Sequence, residues 1–313
     1  RHYTEAGLSE QAVRYWQQAA ERALQRSAYI EAEIYLTKGV SLVQMLPKTR
    51  IRLQQEARLQ SALGGVLMFA KGLSAPEAEV AFARAYDLCQ QLDARVELFS
   101  LIVRLRLYKD TRGEIREALE LAKQLLRIAR QVQEPGLLLQ AHFQLGLSFA
   151  VHGEFANAHE HLEQAAVLYD SQHHRSHAFL YAIDPQIGSA GTSCLMLWFL
   201  GYPDQARQKS RETLKLAREL GHPPNTVMAL LLTSWFHIHS QEEQEALVGL
   251  TEGILLSTEY GIPTQLGFSK ILQGRAWIGQ HKTEEGVQQI QEVLSFLDSI
   301  GGKIFQSAFL AYQ

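Results

Sequence analysis

"GEFANA", Gly153 to Ala158, is the stretch from which the fold is read, because the chain repeats it: "GEIREA" stands at Gly113 to Ala118 and "GYPDQA" at Gly201 to Ala206. "QEEQEA" (Gln241 to Ala246) and "HKTEEG" (His281 to Gly286) extend the series with the same small closing residue. The closing residues fall at 118, 158, 206, 246 and 286, spacings of 40, 48, 40 and 40. Ala78 in "LSAPEA" and Ala32 in "AYIEA" carry the series backward by 40 and then 46. A period of this size marks an array of like units and sets how every other residue is read.

Other columns keep the register. Pro135, Pro223 and Pro263 each stand 17 residues after an anchor, where a new helix is expected to begin. Seven residues after the anchors come Gly39, Ala85, Leu125, Ala165, Thr213, Gly253 and Val293; twelve before them come Gly146, Cys194, Ser234 and Gly274. Small residues recur where two antiparallel helices cross closely, since an added side chain would push the backbones apart at a cost of about 1 to 3 kcal/mol. Between these points apolar residues keep helical spacing, as Leu121, Leu125, Ile128 and Val132 do in "ALELAKQLLRIARQV". All eight prolines fall at element boundaries, and no stretch alternates with period two for long enough to be a strand.

The fold class expected is therefore all-α: a right-handed α-solenoid of about seven helical hairpins with a period near 40 residues. One hairpin has no partner for its apolar face, and stacking supplies it. No linker interrupts the pattern, so residues 1–313 are expected to form one continuous array. The surplus of eight residues falls between Ala158 and Ala206, where "SQHHRSHAFLYAIDP" runs from Ser171 to Pro185.

Composition bounds the function. Hydrophobic residues make up 46% of the chain and charged residues 20%, so a packed structure is expected. A net charge of -3 gives no field to draw a phosphate backbone, which argues against a nucleic-acid partner. Two cysteines far apart, Cys89 and Cys194, fit reduced rather than disulfide usage. No apolar run reaches the roughly 18 to 20 residues of a membrane span, and no leader pattern is present, so a cytoplasmic location is expected. The chain opens on "RHYTEAG" without methionine and stops at "FQSAFLAYQ" within a helical pattern. We read it as a piece of a longer polypeptide.

A small residue at the first-helix crossing, then Phe149, Leu197, His237 or Trp277 three residues on, then the turn and the anchor of the second helix: this column pattern resembles the tetratricopeptide repeat. That repeat has 34 residues and this one 40, and the longer period looks like the sensor region of MalT-type bacterial regulators. "HYTEAGLSEQAVRYWQQAAERALQRSA", "LTKGVSLVQMLP", "HRSHAFLYAIDP" and "LGYPDQARQKSRETLKLAREL" together resemble the C-terminal repeats of large bacterial signal-transduction ATPases. In those proteins a nucleotide-cyclase or kinase-like module often precedes an AAA-type ATPase and the repeats follow. The resemblance implies that the repeats sense or scaffold while chemistry lies in upstream domains.

Candidate sites follow from that frame. His173, His174 and His177 would put two imidazoles on one helical face, with Asp170 or Asp184 as a carboxylate ligand, but the spacing matches no zinc signature and the segment is better read as a joint between hairpins. His159 and His161, two apart, are read as solvated positions on different faces. "GGK" at Gly301 to Lys303 precedes Ile304 and lacks the upstream glycine of a phosphate loop. Arg104, Arg106, Lys109, Arg112 and Arg116 form a basic run that would suit an acidic peptide, but Asp110, Glu114 and Glu117 beside them favour a mixed-charge face. No catalytic motif appears, so neither an enzymatic role nor a cofactor is expected.

In tetratricopeptide arrays the first helix of each hairpin lines the concave groove. Carrying those positions over gives Phe143 and Leu147; Leu195, Trp198 and Phe199; Leu231, Trp235 and His239; Ile271 and Arg275. Several of these would instead be core if the long helices rotate the phase. The function expected is non-catalytic sensing and protein–protein interaction, with a protein or peptide in the groove, occupancy being relayed to the ATPase domain through a shift in curvature. A small-molecule effector held in the same groove is the alternative from another class, and an oligomerisation arm is a third.

Overall fold

The computed structural model describes residues 9–26, 28–71, 75–170 and 184–299, and among them it forms fourteen helices and no strand. They are α1 (Ser9–Gln25), α2 (Tyr29–Met45), α3 (Arg50–Ala70), α4 (Pro76–Leu92), α5 (Arg95–Thr111), α6 (Ile115–Val132) and α7 (Pro135–Val151). There follow α8 (Phe155–Leu168), α9 (Pro185–Phe199), α10 (Pro203–Leu220), α11 (Pro223–His239), α12 (Glu243–Glu259), α13 (Pro263–Gly279) and α14 (Thr283–Ser299). Odd and even helices alternate as the A and B members of successive hairpins, as the forty-residue period requires.

Both turns of the repeat are written in the backbone. The A-to-B turn places a left-handed residue five before each anchor: Gly113, Gly153, Gly201, Gln241 and His281 all have φ between 60° and 85°. The B-to-A turn places another fifteen after the anchor, at Asp93, Gln133, Gly221 and Gly261. A left-handed residue stops a helix by turning its last free carbonyls onto the following N–H groups. Proline then opens α4, α7, α9, α10, α11 and α13, where its missing N–H costs nothing. Side chains close other ends: the Arg52 guanidinium donates to the carbonyls of Val43 and Gln44 at the end of α2, and the Glu134 carboxylate accepts from the N–H groups of Gly136 and Leu137.

The small columns are the crossings. Ala32, Ala78, Ala118, Ala158, Ala206 and Ala246 are all fully buried. A Cβ on Gly146 would stand 3.2 Å from the Ala158 carbonyl oxygen, and one on Gly274 would stand 2.7 Å from that of Gly286. At the equivalent place the Cys194 thiol donates to the Ala206 carbonyl at 3.2 Å. Residues twelve before the anchor thus meet the anchor itself. Burial pushes the Cys194 thiol up to about 12 and the Cys89 thiol to about 11, so both are held protonated in the interior.

The backbone divides into two compact units, the first closing at Leu121 and the second running over Ala122–Leu297. In the first, α1 to α5 pack in sequence, and α1, α2 and α3 enclose Val13, Ala20, Leu36, Val43, Leu59 and Val66. Glu56 is fully buried there and accepts from Arg84 at 2.8 Å, with the Arg52 guanidinium 3.0 Å away. The basic run lies in this unit and is a mixed-charge network: Arg106 pairs with Asp110 at 2.5 Å, Lys109 and Arg112 both bond Glu114, and Arg104 donates to Ser61.

In the second unit the core gathers Phe143, Leu162, Cys194, Leu197, Ala206 and Phe236. Burying side chains the size of Phe143, Leu162, Leu197 and Phe236 stabilises the stack by about 1.5 to 3 kcal/mol each. Helix α7 packs on α9, α9 on α11 and α11 on α13, while each B helix packs on the next A helix, α8 on α9, α10 on α11 and α12 on α13. The A helices form the closely packed layer.

Candidate functional site: the A-helix face

A helix that packs against its own B helix and against both neighbouring A helices has little surface left, and part of that surface lies near its C-terminal end. Of the positions carried over from the repeat, the earliest are core: Phe143 is 2% exposed, and Leu231 and Ile271 are buried with it. Leu195 is buried as well, at 4%. The other alternative foreseen from helix phase therefore applies to these four. Leu147, Trp198, Trp235, His239 and Arg275 are partly exposed, and Phe199 is 40% exposed.

The structure brings most of these together. Phe199, at the end of α9, stacks on Phe155 of α8 at 4.6 Å and meets the His239 ring of α11 edge-on at 4.9 Å. The His239 ring in turn lies nearly parallel to Trp235, 6.5 Å away. Below them Trp198 packs edge-on against the buried Phe236. Offset and edge-on pairs of this kind add roughly 0.5 to 1.5 kcal/mol beyond the area they bury. The result is a ladder of rings crossing three hairpins, with Arg275 of α13 beyond it. Burial, and then the Arg275 charge, lowers the His239 pKa and favours its neutral form.

Phe155 was not among the expected residues because it opens a B helix rather than lining an A helix. Its signal was the column: Pro203, Glu243 and Thr283 occupy the same place in the later hairpins, and none of them is aromatic. Glu243 correspondingly lies against Gly279, where a Cβ would meet its carboxylate oxygen at 2.6 Å. The turn carboxylate Glu242 accepts from Arg207 and contacts His237 Nδ1, both at 2.6 Å. Burial opposes ionisation of Glu242, but these two partners outweigh it and lower its pKa.

Two expectations about histidines change. His159 and His161 are half-buried rather than fully solvated. His161 Nδ1 lies 2.9 Å from His142 Nδ1 of α7, and its ring stacks on Phe149 at 5.6 Å. His159 lines a cleft of about 240 Å³ between α8 and α10 with Glu163, Leu197 and Lys209, and Lys209 pairs with Glu163 at 2.9 Å. The spacing of two does put them on different faces, but the neighbouring helices cover both.

The segment holding His173, His174 and His177, and "GGK" at 301–303, lie outside the described residues. The flanks of the histidine segment are described and are bonded to each other: the Tyr169 hydroxyl donates to the Asp184 carboxylate at 2.9 Å, and that carboxylate caps α9 through the N–H of Gln186.

No protein-family model and no curated protein matches this chain. Solved structures do. Apo RapI, 12% identical, aligns over 92% of this chain and 98% of its own with a TM-score of 0.71. NprR in complex with its cognate peptide NprX is 12% identical, with a TM-score of 0.63 over 93% of this chain and 77% of that one. A signal-transduction ATPase with numerous domains and a tetratricopeptide repeat sensor, PH0952 from Pyrococcus horikoshii, is 14% identical, with a TM-score of 0.53; the match covers 96% of this chain and 45% of that one. The fold is that of tetratricopeptide-like all-α helical-repeat solenoids.

Proposed function

We propose that this chain is a peptide- or protein-binding regulatory module whose partner seats on the A-helix face of the second unit. The observation that supports this reading is the ring ladder Phe155–Phe199–His239–Trp235, which crosses three hairpins at the A-helix ends and keeps Phe199 40% exposed. Aromatic side chains set across a helical layer offer large contact area at low conformational cost, the usual anchor of a recognition surface. NprR, which shares the fold, was solved with its cognate peptide. The place of such repeats beside an ATPase in PH0952 agrees with the resemblance drawn above to signalling ATPases, and we extend it to this chain as the context in which occupancy would be relayed.

The test is selection of random dodecapeptides displayed on phage against the purified chain, followed by titration of the selected peptides. Phe199→Ala and Trp235→Ala are expected to weaken binding about tenfold while thermal unfolding stays cooperative. Selection that enriches no peptide, or peptides indifferent to both substitutions, would defeat the reading.

A further inference from the structure

The carboxylates of the second unit are segregated. None of its four A helices, α7, α9, α11 and α13, contains an Asp or Glu. Its B helices are full of them: Glu160 and Glu163 on α8, Asp204, Glu212 and Glu219 on α10, Glu243, Glu245, Glu252 and Glu259 on α12. On α14 there are Glu284, Glu285, Glu292 and Asp298, and neither α12 nor α14 contains a Lys or Arg. On α10 five cations, Arg207, Lys209, Arg211, Lys215 and Arg218, outnumber the three carboxylates, with Arg207 paired to Glu242, Lys209 to Glu163 and Arg218 to Glu252, so the acidic excess lies on α12 and α14.

The A face has a direction as well as a sign. The same position of successive A helices holds Leu147, Leu195, Trp235 and Arg275, so the row runs from aliphatic through aromatic to cationic. One turn further along the helices, Val151, Phe199 and His239 lead to Gly279, which Glu243 already occupies. An anion arriving here is therefore directed to the Arg275 row and away from the Gly279 row.

We infer that the partner of the A face is an acidic segment rich in apolar side chains, its carboxylate set against Arg275 and its apolar groups over Trp235, Phe199 and Leu147. This rests on the A-face reading above and names the chemistry of its occupant. Arginine offers a carboxylate a two-pronged set of donors, and the apolar row beside it desolvates the pair. The acidic α12 and α14 repel such a segment, so charge steers it away from them and towards the layer without carboxylates. A basic segment meets the opposite field and is drawn to α12 and α14, where no ring ladder stands.

A positional-scanning heptapeptide library, with each position fixed in turn as Asp, Lys, Phe, Leu or Ser, tests this on the wild-type chain and on Arg275→Gln. Pools fixed as Asp at one terminal position, with Phe or Leu at the others, should bind at least tenfold better than the matching Lys pools. Arg275→Gln should abolish that preference while leaving the Phe and Leu preferences and the melting temperature unchanged. Phe and Leu preferences without an Asp preference, or an Asp preference that survives Arg275→Gln, would overturn the inference and leave the A-face reading standing. Retention of no pool would overturn both.

Discussion

Glycine does two separable jobs in this chain. At Gly153 the backbone needs φ of +79°, and no atom lies within 4 Å of the place a Cβ would take. At Gly286 the same Cβ would stand 2.4 Å from the Gly274 carbonyl oxygen. Gly153→Ala is therefore expected to cost only the left-handed conformation, about 1 to 2 kcal/mol. Gly286→Ala must force α13 and α14 apart, and a loss above about 2 kcal/mol is expected. Urea midpoints of the two variants check the order, and equal losses would show that the crossing is not tight. The crossing column was legible because small residues recurred at a fixed offset from the anchors. The turn column was legible at Gly113, Gly153 and Gly201, and at Gln241 and His281 it could be placed only by register.

At the scale of the hairpin, antiparallel pairing joins residues that sequence spacing keeps apart. Once Gly146 faces Ala158, His142, four residues before the first, must fall opposite His161, three after the second. Reading His159 and His161 only against each other missed this. Their Nδ1 atoms share one proton at 2.9 Å, so the two cannot both be protonated at Nδ1 without breaking the contact. Burial, then His161 and Arg130, pushes the His142 pKa down to about 4. Burial lowers that of His161 too, with Glu160 opposing and Arg130 assisting.

A depressed histidine pKa means that the unfolded chain takes up the proton first. The stabilisation is thus whole above the unfolded value near 6.5 and declines as pH falls towards about 4. The slope from one such group is at most roughly 1.4 kcal/mol per pH unit. Urea unfolding at pH 7.5 and pH 5 should show this loss in the wild type and a smaller one in His142→Gln. Identical slopes would remove the pair from the account.

For the whole molecule, the period was enough to expect about seven hairpins and their crossings, because each column was repeated and any one copy could be checked against the others; fourteen helices stand among the described residues. The site was less legible. Offsets taken from a shorter repeat put Phe143 and Leu195 on the surface, whereas the longer helices bury them. The ladder through Phe155 depends on a contact between hairpins that no single repeat contains. What the sequence did hold openly was the absence of Asp and Glu from the A helices of the second unit, visible once the helices were paired.

Hydrogen–deuterium exchange of the chain with and without a selected peptide is the most direct test of the claim that this layered stack receives its partner on the A side. Protection is expected in the C-terminal halves of α9, α11 and α13, with α10, α12 and α14 unchanged. Protection confined to the B helices would contradict the account.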